Sequence, residues 1–189
     1  MHAYERWRLR MMAGLAVGES LLDVGCAQAP NPYLRGRRVV GLDLDAMAVC
    51  PPYTEHIVGD VYSLTSLLGP ALFDTVLIGE LIEHVERPYE LLRAVREHIA
   101  PGGRLVLSTP NPLGIPVVLA EYLRLQRCFY TEQHLWLLTP RWMARMLQRS
   151  GYTVTRTIGC GASLWGLRVP APVALSYQVI YVAEPSGEG

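Results

Sequence analysis

Two acids, each closing a short apolar run beside a glycine, mark the part of the chain best equipped for chemistry. Leu21-Leu22-Asp23-Val24-Gly25-Cys26-Ala27 is followed by Gly41-Leu42-Asp43-Leu44-Asp45. Read as strands, both runs put a carboxylate at the carboxyl end of a strand, where ligands of open parallel sheets bind. A glycine in the first turn lets the backbone come close to a ligand, and an acid closing the next strand can accept both hydroxyls of a ribose. The pair predicts an enzyme that handles a nucleoside-bearing cofactor.

The elements needed to position these acids are legible from punctuation and periodicity. Pro and Gly separate short β-rich runs from helical patterns, and this alternation predicts a doubly wound α/β sheet with helices on both faces. Strands are expected near Ser20 to Val24, Val39 to Asp43, His56 to Gly59, Phe73 to Ile78 and Arg104 to Ser108. A helix is expected over Tyr89 to Ile99, with Pro88 in its first turn and Pro101-Gly102-Gly103 stopping it. A second runs from Pro140 to Ser150, capped by Thr139. The runs Tyr152 to Thr157 and Tyr177 to Val182 have no helix between them, so they are expected to pair antiparallel. Between Pro110 and Thr139 lies an insertion whose core, Val117 to Leu125, reads as a helix apolar on much of its circumference. Three readings of that helix stand side by side: packing over the sheet edge, a substrate lid, and a membrane or partner contact.

Composition narrows the partners. With 189 residues, half of them hydrophobic, the chain fits one domain spanning 1–189. Lys plus Arg and Asp plus Glu both number 17, so no global positive field exists to gather nucleic acid or an anionic membrane. Arg35-Gly36-Arg37-Arg38 reads as a solvated turn. The four cysteines show no Cys-x-x-Cys and no His at ligand spacing, so neither a metal site nor a disulfide framework is expected. Met1 to Arg10 lacks a signal-peptide core and no apolar run has the length of a membrane span, which predicts a cytoplasmic protein.

Further along, Phe73-Asp74-Thr75-Val76-Leu77-Ile78-Gly79-Glu80-Leu81-Ile82-Glu83-His84-Val85 continues through Pro88 to Ala100-Pro101-Gly102-Gly103-Arg104-Leu105-Val106-Leu107-Ser108-Thr109-Pro110-Asn111. With Asp23, Asp43 and Asp60 in order before it, this block resembles the class I S-adenosylmethionine-dependent methyltransferases, particularly the small-molecule ubiquinone and menaquinone type. The resemblance covers roughly residues 20 to 158 and implies a seven-stranded sheet, mostly parallel with an antiparallel last strand. It implies S-adenosylmethionine as cofactor, S-adenosylhomocysteine as product and a small-molecule methyl acceptor. By position, Asp23, Gly25 and Ala27 would form the loop beneath the methionine part. Asp43 would hold the ribose hydroxyls with Leu44 beside the adenine, and Asp60 would accept from the exocyclic amine with Val61 alongside. Gly79, Glu80 and His84 would border the sulfonium and the acceptor.

Methyl transfer is an in-line displacement, so aligning the reactants contributes most. A hydroxyl acceptor would in addition want a base, and the insertion offers Tyr130, Glu132 and His134. His134 reads either as that base or as a brace for the loop. Ile115, Leu119, Tyr122 and Trp136 suggest an acceptor with an apolar or ring portion. Bland readings accompany these: Asp45, Asp60 and Asp74 as cap or turn acids, Glu83 as a helix cap, His84 as a structural histidine, Cys26 as a small buried hydrophobe.

The chain departs from the family in its first loop, where Ala27 and Ala29 replace two of three alternating glycines and Pro30 and Pro32 follow. A long helix cannot start there in the usual way, so a short or irregular one is expected. That departure keeps a scaffold without cofactor in view as the alternative. A nicotinamide oxidoreductase is disfavoured by the missing Gly-x-Gly-x-x-Gly spacing. Nucleic-acid methylation is disfavoured by the neutral charge and by the absence of a base-flipping loop after the fourth strand. The residues leave the oligomeric state open.

Overall fold

The computed structural model describes residues 3–123, 133–164 and 167–187. Nine strands are described: β1 (Ser20–Val24), β2 (Arg38–Asp43), β3 (Tyr53–Val58), β4 (Phe73–Gly79), β5 (Ile99–Pro110), β6 (Tyr152–Gly159), β7 (Ala162–Leu164), β8 (Leu167–Val169) and β9 (Gln178–Pro185). The helices are α1 (Ala3–Leu15), α2 (Leu64–Leu68), α3 (Pro88–Glu97), α4 (Ile115–Tyr122) and α5 (Pro140–Arg149).

Seven strands form one sheet in the order β3-β2-β1-β4-β5-β9-β6, and β7 and β8 form a separate hairpin. β1 through β5 pair parallel, whereas β9 runs antiparallel to both β5 and β6. The reversed strand is the last in the chain, as expected. From β1 the chain moves outward to β2 and β3, then returns to place β4 on the other side of β1. The carboxyl ends of β1 and β4 therefore border a topological switch point.

Alternation along each strand divides the core. Leu22, Val24, Val40, Leu42, Val76, Ile78, Leu105 and Leu107 pack with Leu64, Leu91, Leu92, Val95, Met143 and Leu147, from α2, α3 and α5. Leu21, Val39, Leu77, Val106 and Ile180 belong to a second cluster with Met12, Ala16, Leu34 and Cys26. Strands buried on both faces are apolar almost throughout, which is why they read as short continuous runs.

The structure corrects several expectations. α1 is a helix that the charged N-terminus did not reveal, and it covers the second face. β5 begins at Ile99 rather than Arg104, because Ile99 pairs with Phe73 before a register shift; the Pro101-Gly102-Gly103 turn interrupts the ladder instead of preceding it. α3 consequently ends at Glu97. α4 spans Ile115–Tyr122, starting two residues before the expected 117, while residues 124 and 125 of the expected span lie outside the described residues; Val117 is its buried residue and Ile115, Val118, Leu119 and Tyr122 are exposed.

The proline-rich loop after β1 goes further than its sequence predicts: in place of a short or irregular helix, residues 25–37 contain none. Side chains hold it instead. The Asn31 amide nitrogen donates to Leu9 O of α1 at 3.0 Å, and the Asn31 backbone N–H donates to the Tyr53 hydroxyl at 2.8 Å. That hydroxyl donates in turn to Asp23 at 2.6 Å. Buried polar groups satisfied in series fix a backbone that the prolines keep out of a helix.

Candidate functional site

Asp23 ends the central strand and is nearly fully buried. Burial pushes its carboxyl up to about 6, against the Tyr53 hydrogen bond and the positive field of Arg8. Two residues on, Gly25 has φ +77, and its N–H donates to Leu42 O at 2.8 Å. The positive φ favours glycine, and a Cβ there would also meet Leu81 Cδ2 at 2.9 Å and push that side chain aside.

Asp43 closes β2 and ties two loops together. Its Oδ2 accepts from the Ala27 N–H at 2.8 Å and its Oδ1 from the Asp45 N–H at 3.0 Å. Ala27, which replaces a family glycine, thus stands on the acid beside it. Leu44 follows with its side chain exposed. Asp60 caps a short 3-10 turn over Val61–Ser63, accepting from the Tyr62 N–H at 2.9 Å, and Val61 is buried behind it. Asp60 thus caps this turn through Oδ1, and the residue is exposed.

At the end of β4 the backbone is strained. Glu80 has φ +56, the one non-glycine residue with positive φ among the described residues. Such a conformation costs on the order of 1–3 kcal/mol and persists only where neighbours over-determine it. Here the Glu80 N–H donates to Ser108 O at 3.1 Å, Ser108 Oγ donates to Oε1 at 3.0 Å, and Gln178 Nε2 donates to Oε2 at 2.7 Å. Arg8 Nη1, from α1, donates to Ser108 Oγ at 3.1 Å. Arg8 is buried, its Nε has no partner among the described residues, and with Asp23, Gly25 and Gly79 it lines a small cavity. Sequence reasoning missed Arg8, Ser108 and Gln178. For Arg8 a cue existed: it lies one turn before Met12, a charge on the apolar stripe of a helix.

Glu83 does not cap the following helix, contrary to one reading of it. It is buried, with Oε2 accepting from Thr109 Oγ1 at 3.2 Å, while Arg87 occupies the N-cap of α3 without a capping side-chain bond. Burial, and then the neighbouring Glu80, push its carboxyl far above the usual carboxylate range. His84 Nδ1 lies 3.0 Å from Gln133 O and its ring meets that of His134 edge-on, centroids 4.8 Å apart. Burial and then His84 lower the pKa of His134. Leu135 N and Trp136 N donate to Glu83 O, and Trp136 Nε1 donates to Val85 O at 2.8 Å. Tyr130 and Glu132 lie outside the described residues.

The acids, glycines and histidines singled out in the sequence thus converge on one edge of the sheet. Asp23, Gly25, Asp43, Gly79 and Glu80 stand at the ends of the adjacent strands β2, β1 and β4, and His84 stands between Glu83 and His134.

Residues 1–157 match the family model described as a methyltransferase domain. The chain is 30% identical to the ubiquinone biosynthesis O-methyltransferase of Nitrobacter winogradskyi, over 95% of this chain and 72% of that protein. It is 28% identical to the enzyme of the same name from Aeromonas salmonicida, over 75% of this chain and 66% of that protein. It thus spans about two thirds of the length of such relatives. A SAM dependent methyltransferase from Archaeoglobus fulgidus has the same fold, with a TM-score of 0.71 at 18% identity, covering 94% of this chain and 91% of that one.

Proposed function

This chain belongs to the class I S-adenosylmethionine-dependent methyltransferase family, and we propose that its crevice delivers the cofactor's methyl group to an oxygen, nitrogen or carbon atom of a small molecule. The observation that carries this reading is the gathering of Asp23, Gly25, Asp43 and Glu80 at the ends of three neighbouring strands flanking the switch point.

The residues fit the group. Gly25 leaves room that a Cβ would close. Arg8 Nε is a donor without a partner among the described residues, and Arg8 lines a small cavity, which suits it to the carboxylate of the methionyl end. Asp43 uses one bond per oxygen on Ala27 and Asp45, and each carboxylate oxygen can accept another, from a ribose hydroxyl. Leu44 would flank the adenine, and Asp60, backed by Val61, would accept from its exocyclic amine. Gly79 and Glu80 would border the reacting end.

When bound, the cofactor supplies a methyl group already activated on a positively charged sulfur. The chain's part is alignment, which can contribute about 7–11 kcal/mol, and exclusion of water. A hydroxyl acceptor also has a proton to lose. His134, held neutral by burial and by His84, is available to take it, and His84 would brace the loop through Gln133 O. We read residues 110–139 as the cover of the acceptor side, within a single domain. Its exposed Ile115, Leu119, Tyr122 and Trp136 suit an acceptor with an apolar or ring portion. The name shared by the relatives above favours oxygen as the acceptor atom. Among the described residues no helix is long and apolar enough to cross a membrane. Cys26 and Cys50 are free thiols, which accords with a cytoplasmic setting.

Titration calorimetry with S-adenosylhomocysteine tests the reading without an acceptor. Micromolar binding is expected for the wild type. Asp43→Ala removes two charge-assisted hydrogen bonds at about 1.5–3 kcal/mol each, so affinity should fall at least about 100-fold. No binding by folded wild-type protein overturns the proposal.

A further inference from the structure

We propose that the turn Arg35-Gly36-Arg37-Arg38, with the start of β3, binds an oligophosphate anion, the linked phosphates of a nucleotide or of inorganic polyphosphate. The three arginines line one cleft of about 780 Å3, whose other wall is the run from Pro51 to Thr54. That volume is in the range of small-molecule sites. The cleft is separate from the cofactor crevice. Arg38 opens β2 and Asp43 closes it, so at about 3.3 Å per residue the two ends lie about 17 Å apart. The site therefore does not depend on methyl transfer.

The turn presents its charge unspent. Gly36, at φ +77 and with open space around it, carries the chain round between Arg35 and Arg37. Arg35 is exposed and makes no hydrogen bond or ion pair among the described residues. Arg37 commits one N–H, from Nη2 to Ala16 O at 3.2 Å. Arg38 meets Ser20 Oγ at 3.5 Å and Glu55 Oε2 at 3.7 Å, with both members of the ion pair more than half exposed. A guanidinium carries five N–H donors, so most of those on the three arginines remain for a ligand. Glu55 offsets one of the three charges, which leaves two in a chain whose formal net charge is zero.

The chemistry of the donors selects the ligand. Guanidinium forks match phosphate oxygens bidentately and are weakly hydrated. A single phosphate occupies one or two forks, whereas three forks on four consecutive residues suit linked phosphates, which spread several negative charges along a short chain. The opposite wall is set in advance. Tyr53 is buried, its hydroxyl accepting from the Asn31 N–H at 2.8 Å and donating to Asp23 at 2.6 Å, and the ring of each proline before it fixes φ. A wall held in this way loses little freedom when a ligand arrives.

Titration calorimetry of the full chain with sodium tripolyphosphate at 0.15 M salt tests the site, since this probe has no nucleoside to enter the crevice. Saturable binding of one equivalent is expected. Arg35→Gln should lower the affinity at least about 10-fold. Arg35 has no bond in the fold to lose, so this variant should fold, which circular dichroism checks. Glu55→Gln, which frees Arg38, should raise the affinity about 2- to 5-fold. Arg141→Gln removes an exposed charge from α5 and should leave the affinity unchanged. Tighter Arg35-dependent binding of ATP than of tripolyphosphate identifies a nucleotide as the source of the phosphates, and equal binding identifies the phosphate chain alone. Absence of saturable tripolyphosphate binding, binding undiminished in folded Arg35→Gln, or an equal loss in Arg141→Gln overturns the proposal.

Discussion

Replacing Asp23 by Asn should stabilise the protein at neutral pH. The carboxyl at the end of β1 is 7% exposed, and burial raises its pKa from 3.8 to about 6. For an acid whose folded pKa lies above its unfolded value, the unfolded chain binds fewer protons between the two. Stability is therefore lost as pH rises through that window, and the full loss is present above about pH 6. At about 1.4 kcal/mol per pH unit, a rise from 3.8 to about 6 amounts to about 3 kcal/mol. Asn keeps an oxygen for the Tyr53 hydroxyl and carries no charge to desolvate. Urea unfolding of both proteins between pH 4 and pH 7 measures the effect. The stability difference, Asn variant minus wild type, should grow by up to about 3 kcal/mol from about pH 4 to pH 6 and then level off. Taking the difference removes the contribution of Glu83, which titrates in both proteins. A difference that stays flat across this range would falsify the assignment of a desolvated carboxylate. The same substitution should weaken S-adenosylhomocysteine binding, the usual exchange between stability and function at a buried polar site.

Other substitutions probe the rest of the site. Tyr53→Phe leaves the Asn31 N–H and the Asp23 carboxylate without their partner and should cost about 2–5 kcal/mol in chemical denaturation, whereas a cost below about 0.5 kcal/mol would contradict the relay. Gly25→Ala forces a side chain to φ +77 and against Leu81, so calorimetry should show S-adenosylhomocysteine binding weakened at least about 10-fold; unchanged affinity would mean the turn is not the cofactor loop. Glu80→Gly relieves a positive φ but removes the acceptor for Ser108 and Gln178. Its melting temperature should therefore move little while cofactor affinity falls, and a large drop in melting temperature would show that the hydrogen bonds outweigh the strain.

Much of this molecule is written locally. Strands buried on both faces must be apolar along their whole length, so β1, β2 and β4 are visible as runs bounded by turns, with boundaries within a residue of the observed ones. Thr139 and Pro140 start α5 because cap and first-turn preferences depend only on neighbouring backbone. The prolines after β1 exclude a long helix for the same local reason. Asp23, Gly25, Asp43 and Glu80 could be singled out because an acid or glycine at the end of an apolar run breaks the pattern that burial imposes.

What tertiary structure alone decided is which distant groups meet. Arg8 reaches Ser108, and Gln178 reaches Glu80 across 98 residues, because β9 inserts between β5 and β6 and α1 lies under the sheet. The Asn31-Tyr53-Asp23 relay that replaces a helix joins three segments, none of which betrays the others. Glu83 and His84 meet His134 only after the 133–138 segment docks on the turn following β4. Desolvation is likewise a property of the assembled neighbourhood, which is why no local sequence signal marks Asp23 and Glu83 as carboxyls with raised pKa values.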